Sequence, residues 1–151
     1  MEGMPYLRLT SPPVDTEQRH RLAVELTDLV VRLLTPPPGR GRPTAEDTRA
    51  RTTVQFTPYD PDALAIGGTM MADSGGRDVT LEFSDWGLSL RRQKVIAHEL
   101  TDALSRLLGV EDIDAVNVRF HRYRPRDFAV GGVLLAQRIP VVARVAKLLA
   151  G

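Results

Sequence analysis

Four segments of the chain alternate apolar and polar residues. In the first segment Leu7 and Leu9 are separated by Arg8. The other three segments repeat this alternation around Val54 and Phe56, Leu81 and Phe83, and Val118 and Phe120. A period of two residues is typical of a half-buried strand, because successive side chains point to opposite faces of a sheet. The sequence therefore predicts four strands, each with one face in a core.

Two other segments have apolar residues at helical spacing. The first begins after Asp15, a candidate N-cap with Gln18 three residues later, and its stripe consists of Leu22, Leu26, Leu29 and Leu33. The second begins after Ser89, ends at Gly109, and has a stripe of Ile96, Leu100, Ala103 and Leu107. Each predicted helix lies between two predicted strands.

An internal repeat relates the two halves of the chain. Residues 25–34 and 99–108 match at seven of ten positions, an offset of 74, and residues 65–68 resemble 129–132 at an offset of 64. The difference of ten residues falls in the Pro- and Arg-rich stretch 35–50, which is predicted to be an extended loop. The chain is therefore predicted to be a single domain, 1–151, with repeats 5–68 and 78–132.

The element order β-α-β-β-α-β predicts an α+β fold, with a four-stranded sheet and both helices on one face. The opposite face would be polar, either solvated or pressed against partner subunits, and would carry Arg8, Thr53, Gln55, Glu82, Asn117 and Arg119. Residues 140–150 have apolar residues on one side and are predicted to form a short additional helix.

Composition and charge exclude several classes of protein. A net charge of +1 gives no general attraction to nucleic acid or membranes, and the absence of cysteine excludes disulfides and thiolate chemistry. No apolar run approaches the roughly 18 residues of a membrane span, and the first residues do not resemble a secretory signal. The cytoplasm is the expected location.

The start of the first strand resembles that of the tautomerase superfamily. The family opens this strand with a proline directly after methionine, and here the run is Met4-Pro5-Tyr6-Leu7-Arg8-Leu9. A helix, a second strand and the hairpin segment Phe128-Ala-Val-Gly-Gly132 follow at the family's spacing. Residues 5–132 therefore resemble a fused 4-oxalocrotonate tautomerase (4-OT), with two units in one chain as in cis-3-chloroacrylic acid dehalogenase and malonate semialdehyde decarboxylase.

This resemblance implies a homotrimer and a catalytic N-terminal proline, here Pro5, which would act as the base. A free α-amine has a pKa of about 7.7–8.0, and desolvation lowers that value, so a neutral amine can move a proton between an enol and a ketone. If residues 1–4 are retained, Pro5 is instead an internal imide without a basic nitrogen. The position that corresponds to Pro5 in the second unit is taken to be Asp78.

The residues that bind substrate carboxylates in this family are missing from their usual places. The arginine before the helix falls at Val14 and Leu88, and the arginine of the second strand falls at Thr53 and Asn117. Val30 occupies the histidine position of the dehalogenases. The resemblance therefore implies a substrate that is larger or less charged than a small dicarboxylate.

Other candidate site residues lie on the polar sheet face and near the hairpin. Arg119 is the candidate polarising group, with an interface ion pair to Glu82 as its alternative role. His121 and Tyr123 follow on the same strand as candidate auxiliary acids, although a histidine at the end of an exposed strand is commonly only solvated. The candidate substrate-binding residues, some of which have packing as their alternative role, are Asn117, Phe128, Arg8 and Trp86.

No metal or organic cofactor is expected, because the three histidines lack metal-ligand spacing. The basic and aromatic run 119–126 and the β-α-β-β-α-β order also describe RNA-binding sheets, but ribonucleoprotein patterns are absent. The favoured function is proton transfer on a small-molecule carbonyl or enol compound. The alternatives are a hydratase or decarboxylase on the same fold, and a trimer without proline catalysis, which serves in binding or uses another residue.

Overall fold

The computed structural model of the protein describes residues 3–138, and the predicted helix 140–150 lies outside this range. The elements in chain order are β1 (Tyr6–Ser11), α1 (Thr16–Leu34), α2 (Ala45–Arg51), β2 (Thr53–Pro58), β3 (Ala65–Ile66), β4 (Thr69–Met70), α3 (Met71–Ser74), β5 (Val79–Trp86), α4 (Leu90–Leu108), β6 (Val116–Tyr123), β7 (Ala129–Val130), β8 (Val133–Leu134) and α5 (Leu135–Arg138). None of the helices in residues 3–138 has the length and apolar character needed to cross a bilayer.

The main sheet has four strands in the order β2-β1-β5-β6. Strand β1 is parallel to β2, β5 is parallel to β6, and the two central strands β1 and β5 are antiparallel. Each parallel pair is joined through one long helix, as expected for a β-α-β unit. The predicted α+β fold with two tandem β-α-β units is confirmed.

Both long helices pack on the same face of the sheet, as predicted. The inward positions of the central strands, such as Leu9 and Phe83, share one core with Leu26 of α1 and Leu100 of α4. All four side chains have 1% or less of their surface exposed. Burial of this apolar stripe stabilises the helices, since propensity alone rarely holds a helix of this length in water.

The helix ends follow the signals in the sequence. The Asp15 side chain accepts a hydrogen bond of 2.7 Å from the amide of Gln18, and Ser89 caps α4 by accepting from Arg92 at 3.3 Å. Gly109 ends α4 in the left-handed conformation, with φ of 62°. That backbone conformation is strained for residues with a Cβ atom, which explains the glycine at this position.

The expectation that residues 35–50 form an extended loop is wrong in its second half. Helix α2 begins after Thr44, and its N-terminus has a reciprocal capping box with Asp47. The Thr44 hydroxyl accepts from the Asp47 amide at 3.1 Å, while the Asp47 carboxylate accepts from the Thr44 amide at 2.8 Å. This pair satisfies two backbone donors at the helix start and stabilises a short helix in a proline-rich segment.

The two long helices define the relation between the two units. Both have 19 residues, with N-caps Asp15 and Ser89, so each residue of β1 and α1 corresponds to the residue 74 positions later. Pro5 therefore corresponds to Val79, and the assignment of Asp78 as its counterpart is wrong by one residue. Asp78 instead corresponds to Met4.

Each unit ends in the same short hairpin and helical turn. The hairpin β3-β4 has Gly67 and Gly68 at its tip, and β7-β8 has Gly131 and Gly132, all four with positive φ. The Leu135 amide donates to the Phe128 carbonyl at 2.8 Å, as the corresponding amide and carbonyl do in the first unit at the same distance. This bond places Phe128 beside the end of β6.

Candidate active site at the start of the first strand

Pro5 lies immediately before β1 and is buried. Its carbonyl accepts a hydrogen bond of 2.9 Å from the Thr53 amide at the start of β2. Because β1 is antiparallel to β5 and β5 is parallel to β6, the start of β1 lies beside the C-terminal ends of β5 and β6. The topology thus brings Pro5 close to residues more than 75 positions away in sequence.

A cavity of about 400 Å³ opens at this end of the sheet. Its volume suits a small organic molecule. It includes three of the predicted site residues, His121, Tyr123 and Phe128, together with Met4, the residue before Pro5. The full lining consists of Met4, Tyr6, Thr53, Ser84, His121, Arg122, Tyr123, Asp127 and Phe128.

Tyr123 is the most constrained polar side chain of this cavity. Its hydroxyl accepts a hydrogen bond of 3.2 Å from the Met4 amide, and its ring stacks on Phe128 with centroids 5.1 Å apart. Burial, together with the negative charge of Asp85 and a hydrogen bond to it, raises the pKa of Tyr123 to about 12. The hydroxyl therefore stays protonated at neutral pH and can donate a hydrogen bond.

Asp85 and Trp86, at the end of β5, are both buried. Asp85 occupies an inward position of the strand, in line with Leu81 and Phe83, where the sequence pattern calls for an apolar residue. Trp86 packs against Leu135 with Tyr123 and Phe128 around it. Trp86 therefore belongs to the apolar cluster that Tyr123 and Phe128 pack against, and it does not itself line the cavity.

His121 and Arg8 meet at the carboxylate of Glu82 on the polar face of the sheet. The Nε2 atom of His121 lies 3.2 Å from Glu82 Oε1, and Arg8 Nε donates to Glu82 Oε2. The hydrogen bond from Arg8, with the positive charges of Arg8 and His121, lowers the pKa of Glu82. Arg8 is thus held by Glu82 in the middle of the sheet and does not line the cavity.

Arg119 and Asn117 lie progressively farther along β6 from the cavity. Arg119 is exposed beside Glu82 in the strand register and has no ion-pair partner within residues 3–138. Asn117 lies near the start of β6, where its amide donates to Asp78 at 3.1 Å. A single chain therefore does not bring Asn117 together with Pro5.

A second cavity of about 850 Å³ lies at that opposite end of the sheet and includes Asp78 and Asn117. The two ends share one contact: Tyr59 accepts from the Asp78 amide at 3.2 Å, as Tyr123 accepts from the Met4 amide. Here, however, Asn117 and Thr80 both donate to the Asp78 carboxylate. The second unit therefore keeps the hydrogen bond from a backbone amide to a tyrosine hydroxyl. Its polar side chains donate hydrogen bonds to the carboxylate of Asp78.

Sequence reasoning missed Arg122, which lines the first cavity, because candidate arginines were sought at the family's usual positions and on the polar face of the sheet, whereas Arg122 is in the other phase of β6. Asp85 was considered with Trp86 as a residue that shapes the pocket but was not included among the candidate site residues, although a charged residue in the apolar phase of a strand is an available signal. Within residues 3–138, no three His, Cys, Asp or Glu side chains are grouped in a way that could hold a metal ion.

No protein-family model matches the sequence, and no curated protein matches it. The fold, however, is similar to several solved structures. Pt0534 inactivated by 2-oxo-3-pentynoate superposes with a TM-score of 0.72 at 13% identity, covering 89% of this chain and 99% of that one. A fused 4-OT solved as an asymmetric trimer gives a TM-score of 0.69 at 16% identity, with coverage of 89% and 99%.

A member of the cis-3-chloroacrylic acid dehalogenase family covers more of the chain. It gives a TM-score of 0.66 at 17% identity and covers 95% of this chain and 98% of that one. Likeness at such low identity establishes the architecture and leaves the chemistry to the residues of the site. The chain therefore has the tautomerase-superfamily fold in its fused 4-OT form.

Proposed function

We propose that this protein catalyses proton transfer on a conjugated carbonyl or enol compound, with the nitrogen of Pro5 as the group that carries the proton. The observation behind this proposal is the position of Pro5 at the start of β1, next to a cavity that contains Tyr123, His121 and Phe128. In a chain that begins at Pro5 this nitrogen is a secondary amine. Its ordinary pKa of about 7.7–8.0 lets it both accept and donate a proton near neutral pH.

The cavity residues divide into three roles in this proposal. The Tyr123 hydroxyl stays protonated, and in this proposal it turns its single O–H from the Asp85 carboxylate to the substrate oxygen on which negative charge develops. His121 and Arg122 place positive charge or hydrogen-bond donors on the wall of the cavity, where a substrate carboxylate would lie. Phe128, stacked on Tyr123, supplies an apolar surface for the remainder of the substrate. A 2-oxo acid in its enol form fits all three.

Covalent labelling tests whether Pro5 is the reactive nitrogen. We expect 2-oxo-3-pentynoate, the compound that inactivates the similar protein Pt0534, to add to a chain that begins at Pro5. Peptide mass spectrometry should locate the adduct on Pro5, because an amine is nucleophilic and an imide is not. The matched control is the chain that retains residues 1–4. Equal labelling of both chains, or an adduct on another residue, would rule out Pro5.

We also propose that the protein assembles as a homotrimer. The polar face of the sheet is open in a single chain, with Arg8, Gln55 and Arg119 exposed, and a similar fused 4-OT forms an asymmetric trimer. Assembly around a threefold axis would cover this face. Size-exclusion chromatography with light scattering should give three times the chain mass of 16.7 kDa. A mass equal to one chain across the micromolar range would contradict the proposal.

A further inference from the structure

The two units carry opposite charges at equivalent positions. After β2 the first unit has the run Tyr59-Asp-Pro-Asp62, and after β6 the second unit has the run Tyr123-Arg-Pro-Arg126. These runs are 64 residues apart, the offset that also relates the glycine pairs of the two hairpins. Both units thus keep tyrosine and proline at this point, while two aspartates of the first unit correspond to two arginines of the second.

The first turns of the two long helices show the same reversal. Glu17 lies in the first turn of α1, and the residue 74 positions later, in the first turn of α4, is Arg91. Arg92 follows, and this turn of α4 contains no acidic residue. Positive charge is unfavourable at a helix N-terminus, where the free amide groups already carry partial positive charge. Helix stability therefore does not account for the arginines at the start of α4.

The topology collects these charges at the two ends of the main sheet. The connections β1–α1, β2–β5 and α4–β6 lie at the end with the second cavity, and the connection α1–β2 and the segment after β6 lie at the Pro5 end. In the described part of the chain, the first set contains Arg77 and the acidic residues Asp15, Asp60, Asp62, Asp73, Asp78, Glu111, Asp112 and Asp114. The second set contains the acidic residues Glu46, Asp47 and Asp127 and the basic residues Arg40, Arg42, Arg49, Arg51, Arg124, Arg126 and Arg138. The charge is therefore negative at the second cavity and positive at the Pro5 end, where α4 also begins.

Charges of one sign around a cavity change the local concentration of charged ligands. A single exposed charge contributes little, because water and salt screen it, but the summed field of many like charges enriches ligands of opposite charge. Arg91 and Arg126 are exposed and lie outside the lining of the cavity beside Pro5. Neither forms an ion pair with another residue of the range 3–138. Their charge is therefore available to a ligand that approaches this cavity.

We propose that the charge reversal between the units determines which cavity a ligand enters: it concentrates small organic anions at the cavity beside Pro5 and repels them from the second cavity. Arg91 and Arg126 are specificity-determining residues that act through the electric field and do not touch the substrate. This inference rests on the proposed function and specifies that the 2-oxo acid enters as its carboxylate anion. The two ends of a duplicated fold thereby become different sites.

Paramagnetic relaxation of amide protons by charged nitroxides measures this field in the full chain and needs no turnover. Two nitroxides of equal size, one with a carboxylate and one with an ammonium group, are compared at residues 121–128 and at the equivalent residues 57–64. We expect the anionic nitroxide to relax residues 121–128 more strongly and the cationic one to relax residues 57–64 more strongly. Arg91→Gln/Arg126→Gln should lower the ratio of anionic to cationic effect at residues 121–128 by about twofold or more.

Glu17→Gln/Asp62→Asn is the matched control, because it neutralises two exposed charges at the equivalent positions of the first unit. This variant should leave the ratio at residues 121–128 unchanged and raise the ratio at residues 57–64. Equal ratios at the two ends of the wild-type protein would overturn the inference, whatever the turnover.

Turnover by a chain that begins at Pro5 gives a second readout. At low salt, Arg91→Gln/Arg126→Gln should lower kcat/KM for the enol of a 2-oxo acid by about threefold or more, through KM, because the field acts on the approaching anion. The difference should vanish at 1 M salt, where the screening length is about 3 Å. The methyl ester of the same enol is neutral and should show no difference between wild type and variant.

Two kinetic results would also overturn the inference. One is an unchanged kcat/KM for the acid at low salt. The other is an equal fall for acid and ester, which would show that Arg91 and Arg126 act through the structure of the site. If the nitroxide ratios differ as expected but no enol is turned over, only the proposed function fails, and if turnover occurs with equal ratios, only this inference fails.

Discussion

Phenylenolpyruvate will be converted to its ketone at least about 100-fold more slowly by a chain that retains residues 1–4 than by a chain that begins at Pro5. The extra residues turn the amine of Pro5 into an imide, which has no basic lone pair. They also place Met4 in the wall of the cavity, with its amide bonded to Tyr123. The disappearance of the enol absorbance, corrected for spontaneous ketonisation, gives both rates.

Two variants of the shorter chain separate the effect of changing the amine from a general effect of substitution on the rate. Pro5→Ala in the shorter chain keeps a terminal amine, now primary, and should fall between the two rates. Asp78→Asn changes a carboxylate at the opposite end of the sheet and should match the shorter wild-type chain. Equal rates for the chains with and without residues 1–4 would show that Pro5 does not carry the proton.

The Phe83→Ala substitution will lower the free energy of unfolding by about 3–5 kcal/mol. Phe83 has 0% of its side chain exposed, lies on central strand β5, and contacts the Phe120 ring with centroids 6.0 Å apart. Removal of the ring loses its buried apolar contacts and leaves a cavity between the sheet and the helices. The strand that carries Phe83 has a neighbouring strand on each side, so the sheet cannot move in to close this cavity. Urea denaturation followed by circular dichroism measures the change.

Val24→Ala is the control for this measurement, because Val24 lies on α1 with 57% of its surface exposed. Its cost should stay within about 0.5 kcal/mol. Both variants need the same protomer concentration, since stability in an oligomer depends on concentration. A cost for Phe83→Ala as small as that of Val24→Ala would show that the two helices do not pack on this face of the sheet.

Two features were predicted incorrectly, although the sequence contains a signal for each. Helix α2 went unrecognised because the proline content of residues 35–50 outweighed the Thr44 and Asp47 pair, which forms a capping box. The counterpart of Pro5 was placed at Asp78, although the offset of 74 that aligns the helices assigns it to Val79. Both signals were present in the sequence, and the equal lengths and N-caps of the two long helices resolved the second.

Strand pairing between segments far apart in the sequence decided which residues belong to the site. Asn117 and Tyr123 belong to one strand, yet only Tyr123 lies beside Pro5, because eight residues of β6 span the whole length of the sheet. Asp85 was not among the candidate site residues, and only the antiparallel pairing of β1 with β5 brings the end of β5, where Asp85 lies, beside the start of β1. No pattern within either strand contains this information.

The sequence by itself determined the four strands, the two long helices and the face that each one buries, because periods of 2 and 3.6 residues follow from local backbone geometry. The tertiary structure alone decided that the start of β1 meets the ends of β5 and β6, and that His121, Tyr123 and Phe128 line one cavity there. Strand order and direction are settled by the joint packing of all elements around one core, so the site exists only once that core has formed.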